Sequence, residues 1–168
     1  VASGPFHDRV NLLCGALATG TLAGLGQGPE VWAGFSVGFL FSTLLFSPDT
    51  DIMPKKRAGF LRFFLYPYSL IFKHRGPSHA FVLGTLSRIL YGLIVFLLVI
   101  FVLNRTGDVS ISPHNVLSGL WHFIVAYEYS SFPHRLITWI FLGMAGADAC
   151  HLLVDKVSSF FKKLWRLL

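Results

Sequence analysis

Apolar residues fall in four long blocks separated by short polar clusters, with too few polar interruptions for the half-wet stripe of a surface helix. The blocks cover residues 10–26, 31–46, 80–103 and 136–153. A helix needs roughly 20 residues to cross a hydrocarbon core, so each block predicts a spanning helix, the second short enough to need local thinning of the bilayer. A fifth apolar stretch, 60–72, contains Pro67 between Tyr66 and Tyr68. Proline breaks a helix and tyrosine favours the headgroup level, so this stretch is predicted to be an interfacial segment. Between residues 104 and 135, Pro113, Trp121, Tyr127, Tyr129 and Pro133 predict a loop with an interfacial helix. The expected fold is all-α: one membrane domain over residues 1–168, an integral four-helix bundle.

Composition supports that reading. The chain is 54% hydrophobic and only 13% charged, which excludes an ordinary water-soluble domain. A net charge of +6 raises the question of nucleic acid, but the basic residues flank the apolar blocks instead of forming a stripe on a polar domain. No nucleic acid partner is expected; anionic lipid headgroups are. On the four-span topology Arg9, Lys55, Lys56, Arg57, Arg62, Lys73, Arg75, Lys156, Lys162, Lys163 and Arg166 share one side, while Arg105 and Arg135 take the other. The positive-inside rule makes the first side cytoplasmic. Cys14 and Cys150 lie inside apolar blocks and read as packing residues. The opening residues show no secretory signal. Gly20, Gly24, Gly28, Gly34 and Gly38 are spaced to let the first two helices approach closely.

The acidic residues change the picture most, because five of the eight fall in clusters with histidine or with one another. His7 and Asp8 precede the first span, Asp49 and Asp51 follow the second, His74 and His79 precede the third, and Asp148, His151 and Asp155 end the fourth. All four clusters therefore come out at the basic, cytoplasmic face. Asp148, His151 and Asp155 are spaced three and four apart, so on a helix they share one stripe. Carboxylates at the end of a spanning helix need pairing, hydration or a cation. Taken singly the clusters have simpler accounts, such as turn and cap chemistry at Asp49 and Asp51 or a helix start at His7 and Asp8. Taken together they predict a divalent-metal site made from His7, Asp8, Asp49, Asp51, His74, His79, His151 and Asp155. Imidazole and carboxylate donors suit Zn above all, with Mn or Fe as alternatives, and the number of donors allows one to three ions. Asp148 or Asp49 would act as general base or orienter, and Arg75 would bind transition-state charge. His114, His122, His134 and Glu128 fall on the other side and are excluded from the site.

The ordered motifs His7-Asp8, Ser47-Pro48-Asp49-x-Asp51, His74-Arg75-Gly76-x-Ser78-His79 and His151-x-x-x-Asp155 resemble a family of uncharacterised metal-binding membrane proteins. That family is similar in turn to LexA-regulated membrane-bound metal-dependent hydrolases, grouped with the zinc-dependent phospholipase C and nuclease superfamily. The resemblance extends from Ser3 to about Asp155. It implies an all-helical fold and phosphoester hydrolysis, and carries His7, Asp49, Asp51, His74, His79, His151 and Asp155 over as ligands. The expected function is a membrane-embedded metal-dependent hydrolase acting on a lipid or lipid-linked phosphoester at the cytoplasmic face. The alternative is a non-catalytic metal-binding membrane protein, a subunit or assembly factor of a larger complex, in which the ion staples helix ends together.

Overall fold

The computed structural model describes residues 4–51, 59–71, 82–107 and 110–165. Among them every regular element is helical, with no strand: α1 Gly4–Gly24, α2 Pro29–Leu44, a 3-10 turn Pro48–Asp51, α3 Leu61–Ile71, α4 Leu83–Thr106, α5 Pro113–Val125 and α6 Phe132–Trp165. Pro29 opens α2 and Pro113 opens α5, each where a missing N–H costs nothing. Gly107, with a positive φ of 83°, ends α4 in the left-handed conformation that glycine adopts without a Cβ penalty.

The expected helices are present, but the expected number of spans is not established. Among the described residues two helices, α4 with 24 residues and α6 with 34, are long and apolar enough to cross a membrane. α2 has 16 residues, about 24 Å at the α-helical rise, short of a hydrocarbon core of about 30 Å. α1 reaches 21 residues, but His7, Asp8, Arg9, Asn11 and Thr19 dilute its apolar run. The stretches expected to be interfacial are helical: α3 continues through Pro67, which removes only one intrahelical hydrogen bond, and buries Tyr68 while leaving Phe63, Leu70 and Ile71 exposed. α5 buries no residue at all.

The most extensive helix contact joins α2 to α6. Residue pairing shows that the two run parallel, from Glu30 against Arg135 (2.9 Å) to Asp49 against His151. α1 runs antiparallel to both, with Thr19 Oγ1 2.9 Å from Ser36 Oγ at one end and Asn11 reaching Thr43 and Ala147 nearer the other. The glycine stripe works differently from expectation. A Cβ on Gly20 or Gly24 would meet nothing, whereas one on Gly34 would lie 2.9 Å from the Leu136 carbonyl, and those on Gly38 and Gly143 would run into the Ile140 and Phe35 carbonyls. The close backbone-to-backbone approach is thus α2 to α6, where Gly34, Gly38 and Gly143 face carbonyls of the other helix, while α1 meets α2 through Gly15, whose added Cβ would lie 2.7 Å from the Phe39 ring. Gly38→Val should cost about 1–3 kcal/mol through forced separation of these backbones, read as a lowered midpoint in detergent unfolding, while Gly24→Val should leave that midpoint in place.

Polar and apolar surfaces are arranged inside out. His7, Asn11, Ser42, Thr43, Ser47, Thr85, Arg88, Asp148 and His151 are buried, while Leu13, Leu17, Leu90, Phe96 and many other large apolar residues face outward. An aromatic cluster of Phe46, Tyr68 and Tyr91 attaches α3 and α4 to the end of α2.

Candidate metal centre

The chain order of helices α1, α2, α4 and α6 brings the start of the first, the end of the second, the start of the third and the late turns of the fourth to one end of the molecule. There the imidazoles of His7 and His151 stack with centroids 4.3 Å apart. Nε2 of His7 lies 3.2 Å from Oδ1 of Asp155. Nε2 of His151 lies 3.4 Å from Oδ1 of Asp49 and 3.8 Å from Oδ2 of Asp155. Donor atoms of His7, His151 and Asp155 all fall within 4.8 Å of one another. The i, i+4 spacing of His151 and Asp155 puts both on the face of α6 turned to α1. The 3-10 turn after Pro48 carries Asp49 in from the end of α2.

Two observations test whether these residues fit a divalent ion. The first is unmet polarity. Among the described residues, both ring nitrogens of His7, Nε2 of His151 and Oδ1 of Asp155 are buried with no hydrogen-bond partner; His7 and Asp155 are near each other but misaligned for an N–H to point at the oxygen. Buried polar atoms are rarely left so, and a cation is what such donors share. The second is spacing. Donors about 2.0–2.1 Å from a tetrahedral ion lie roughly 3.3 Å apart, close to the 3.2 and 3.4 Å found for the two shortest pairs. The donor set therefore fits.

Electrostatics prepares one donor for that task. Burial holds the His7 imidazole below its ordinary pKa, and His151 beside it adds to the lowering, outweighing the raising by Asp155 and Asp49. A lowered value keeps the ring neutral near pH 7, the form whose lone pair can coordinate a metal. The side chains of His7 and His151 are closed off at 3% and 4% exposure, but those of Asp155 and Asp49 are 25% and 32% exposed, so the cluster has a buried floor and a wet rim.

The other expected residues are placed as follows. Asp8 is half-buried on α1 next to His7, one step round the helix and outside the three converging donors. Asp51 ends the 3-10 turn by its backbone, and its side chain lies outside the described residues. His74, Arg75 and His79 also lie outside them. Asp148, expected beside the metal as base or orienter, is not among the converging donors. Its carboxylate accepts a hydrogen bond from Ser42 at 2.7 Å, another from Thr85, and pairs with Arg88. His134, excluded from the site, packs instead on Phe123, with Nε2 3.0 Å from the Phe123 carbonyl.

Sequence reasoning passed over Asn11, Ser42 and Thr85 and left Arg88 without a role. A signal was there for two of them. Asn11 follows His7 by four residues, and Arg88 is the single charge within an otherwise apolar block. Asn11 Nδ2 donates to the Ala147 carbonyl at 3.1 Å and approaches Thr43 at 3.4 Å, forming a polar layer one helical turn beneath the histidines.

Comparison with known proteins agrees with the metal reading at the level of family. Residues 2–165 match the family described as Uncharacterized metal-binding protein (DUF2227). A protein of Aquifex aeolicus (strain VF5), described as Uncharacterized protein, is 31% identical over 134 residues, covering 77% of this chain and 92% of that relative. Neither match names a hydrolase or a particular metal. No solved structure matches the chain. With nearly its whole length matched, and with two imidazoles and two carboxylates gathered at one end of the bundle, the chain belongs to the metal-binding protein family DUF2227.

Proposed function

We propose that the chain is a membrane-embedded metalloprotein in which His7, Asp49, His151 and Asp155 hold a divalent ion, and that this centre hydrolyses a phosphoester, lipid or lipid-linked, at the cytoplasmic face. The carrying observation is the meeting of His7 and His151, drawn from opposite ends of the chain, with Asp155 in one cluster whose buried ring nitrogens lack hydrogen-bond partners among the described residues. The inside-out distribution of polar and apolar surface supports the membrane setting, since large outward-facing apolar area of this extent needs lipid or a partner to cover it. The basic residues near the cluster's end of the sequence pattern support its cytoplasmic side. The wet rim at Asp49 and Asp155 favours catalysis, because a working metal site keeps an open position where a structural one is closed. A bound divalent ion would act there as a Lewis acid toward a phosphoryl oxygen. The chain's own residues hold that position: the histidines fix the buried side and the carboxylates face water. His74, His79, Asp8 and Asp51 are the remaining ligand candidates, and Arg75 the candidate phosphate binder.

The non-catalytic reading has its own observation. The donors come from α1, the turn after α2, and α6, so one ion would tie three elements together. One experiment separates the two. Purified protein loaded with Zn²⁺ or Mn²⁺ is assayed on bis(p-nitrophenyl) phosphate and on phospholipid vesicles, beside Asp49→Asn. Metal-dependent turnover that falls at least about 100-fold in Asp49→Asn, with metal still bound, is the hydrolase result. No turnover by a fully loaded protein, together with a lower unfolding midpoint on metal removal, is the staple result and ends the hydrolase reading.

A further inference from the structure

Arg88 is 1% exposed and lies among apolar helices, where an ionised group is costly to keep. All three nitrogens of its guanidinium have partners. Nε donates to the Gly84 carbonyl at 3.1 Å on its own helix. Nη1 donates to Ser42 Oγ at 3.2 Å and to the Phe46 carbonyl, and Nη2 pairs with Asp148. The Phe46 ring lies 5.7 Å from the guanidinium carbon. Thr85, one turn before Arg88 on the same face of α4, reinforces the link by donating to Asp148.

The two far contacts are the informative ones. Phe46 is the last residue before Ser47-Pro48-Asp49, so fixing its carbonyl fixes where the 3-10 turn starts and where Asp49 arrives beside His151. Asp148 precedes His151 by three residues on the same stripe of α6, so fixing it sets the rotation of α6 that aims His151 and Asp155 at His7. Among the described residues α4 places no donor in the cluster. Its charged contact is instead made beneath it, to the two elements that carry Asp49 and His151.

We propose that Arg88 is a positioning residue for the metal centre, setting Asp49 through the Phe46 carbonyl and His151 through Asp148. The proposal rests on the metal reading above. It gives Asp148 the task of orienting α6 in place of proton transfer, because three donors already occupy its carboxylate. A planar fork suits this task better than a point charge, since it presents Nη1 and Nη2 to two partners at a fixed angle. The network also explains why a buried charge is tolerated: its worth lies in geometry, while hydrophobic replacements of a buried pair are often neutral for stability.

The test compares the full chain in detergent with Arg88→Met/Asp148→Leu, which removes both charges together, and with Arg88→Lys, which keeps the charge and loses the fork. Zn²⁺ affinity is measured by competition with a chromophoric chelator, the visible spectrum of the Co²⁺ form reports the donor set, and circular dichroism with thermal unfolding reports the fold. The expected result is a helical, cooperatively unfolding double variant whose Zn²⁺ affinity falls about 10–100-fold, as for loss of a residue that orients a ligand, with a changed Co²⁺ spectrum. Arg88→Lys should lose about 10-fold. Should the double variant fail to fold, Arg88→Lys decides alone. Unaltered Zn²⁺ affinity and Co²⁺ spectrum in either folded variant would overturn the proposal. A native chain that binds neither ion would end the metal reading itself, and the proposal with it.

Discussion

Replacing His7 and His151 together by alanine should abolish metal uptake. Loss of a residue that merely orients a ligand costs about 10–100-fold in affinity, so loss of two imidazole donors should exceed about 100-fold and leave metal content at background. Each ring has at least one buried nitrogen with no hydrogen-bond partner among the described residues, so the double variant also relieves an unmet polar burden and should keep its helical fold. The control is His114→Ala/His122→Ala, which removes two exposed histidines of α5. Elemental analysis after dialysis against chelator and reloading with Zn²⁺ reads both. Equal loss in the two variants would mean adventitious surface binding, and full loading of His7→Ala/His151→Ala would remove the proposed site.

Much of this centre was legible in the chain because it depends on periodicities that survive without coordinates. His151 and Asp155 lie four apart, which places them on one helical face whatever surrounds that helix. The return of His7, Asp49 and Asp155 to one end follows from the alternation of apolar blocks and polar clusters, a property of order along the chain. What the pattern could not carry is rotation about each helix axis. Asp148 shares the stripe of His151 yet meets Arg88, Ser42 and Thr85, because its turn of α6 lies level with α4 and the end of α2. The glycines show the same limit. Their spacing announced a close helix contact, but Gly34 and Gly38 turn to α6, a partner about a hundred residues away with Gly143 opposite, and the choice between α1 and α6 is one of packing.

The count of spans was less legible than the helices themselves. Hydropathy blocks mark where helices form, and α2 and α4 begin and end within about three residues of the predicted limits, whereas α1 starts six residues before its block and α6 runs twelve residues past its own. Length against the bilayer is a separate matter, and α2 at 16 residues depends on its surroundings to cross. Pro67 illustrates the opposite error. It sits at the seventh position of an eleven-residue helix, late enough that only the bond to the Phe63 carbonyl is lost, while Tyr68 anchors the segment by packing on Phe46 and Tyr91.

Asp148→Leu alone should be the most destabilising single change in the described chain. It leaves Arg88 charged and buried, with Ser42, Gly84 and Phe46 still around it but no counter-ion, and breaking one side of a buried pair costs about 3–5 kcal/mol. Against a total stability of about 5–15 kcal/mol for a typical domain, that is enough to populate unfolded chain. Arg88→Met added to Asp148→Leu should recover most of the loss, because the stranded charge is gone and two apolar side chains replace the pair. The signature is a double variant more stable than Asp148→Leu by denaturant titration in detergent. Additive losses would mean that the two side chains contribute independently and that the pairing of Arg88 with Asp148 carries no coupling energy. Such coupling is expected here because Asp148 links α6 at once to Ser42 of α2 and to Thr85 and Arg88 of α4. Removing its carboxylate releases three helices in the layer directly under the histidines.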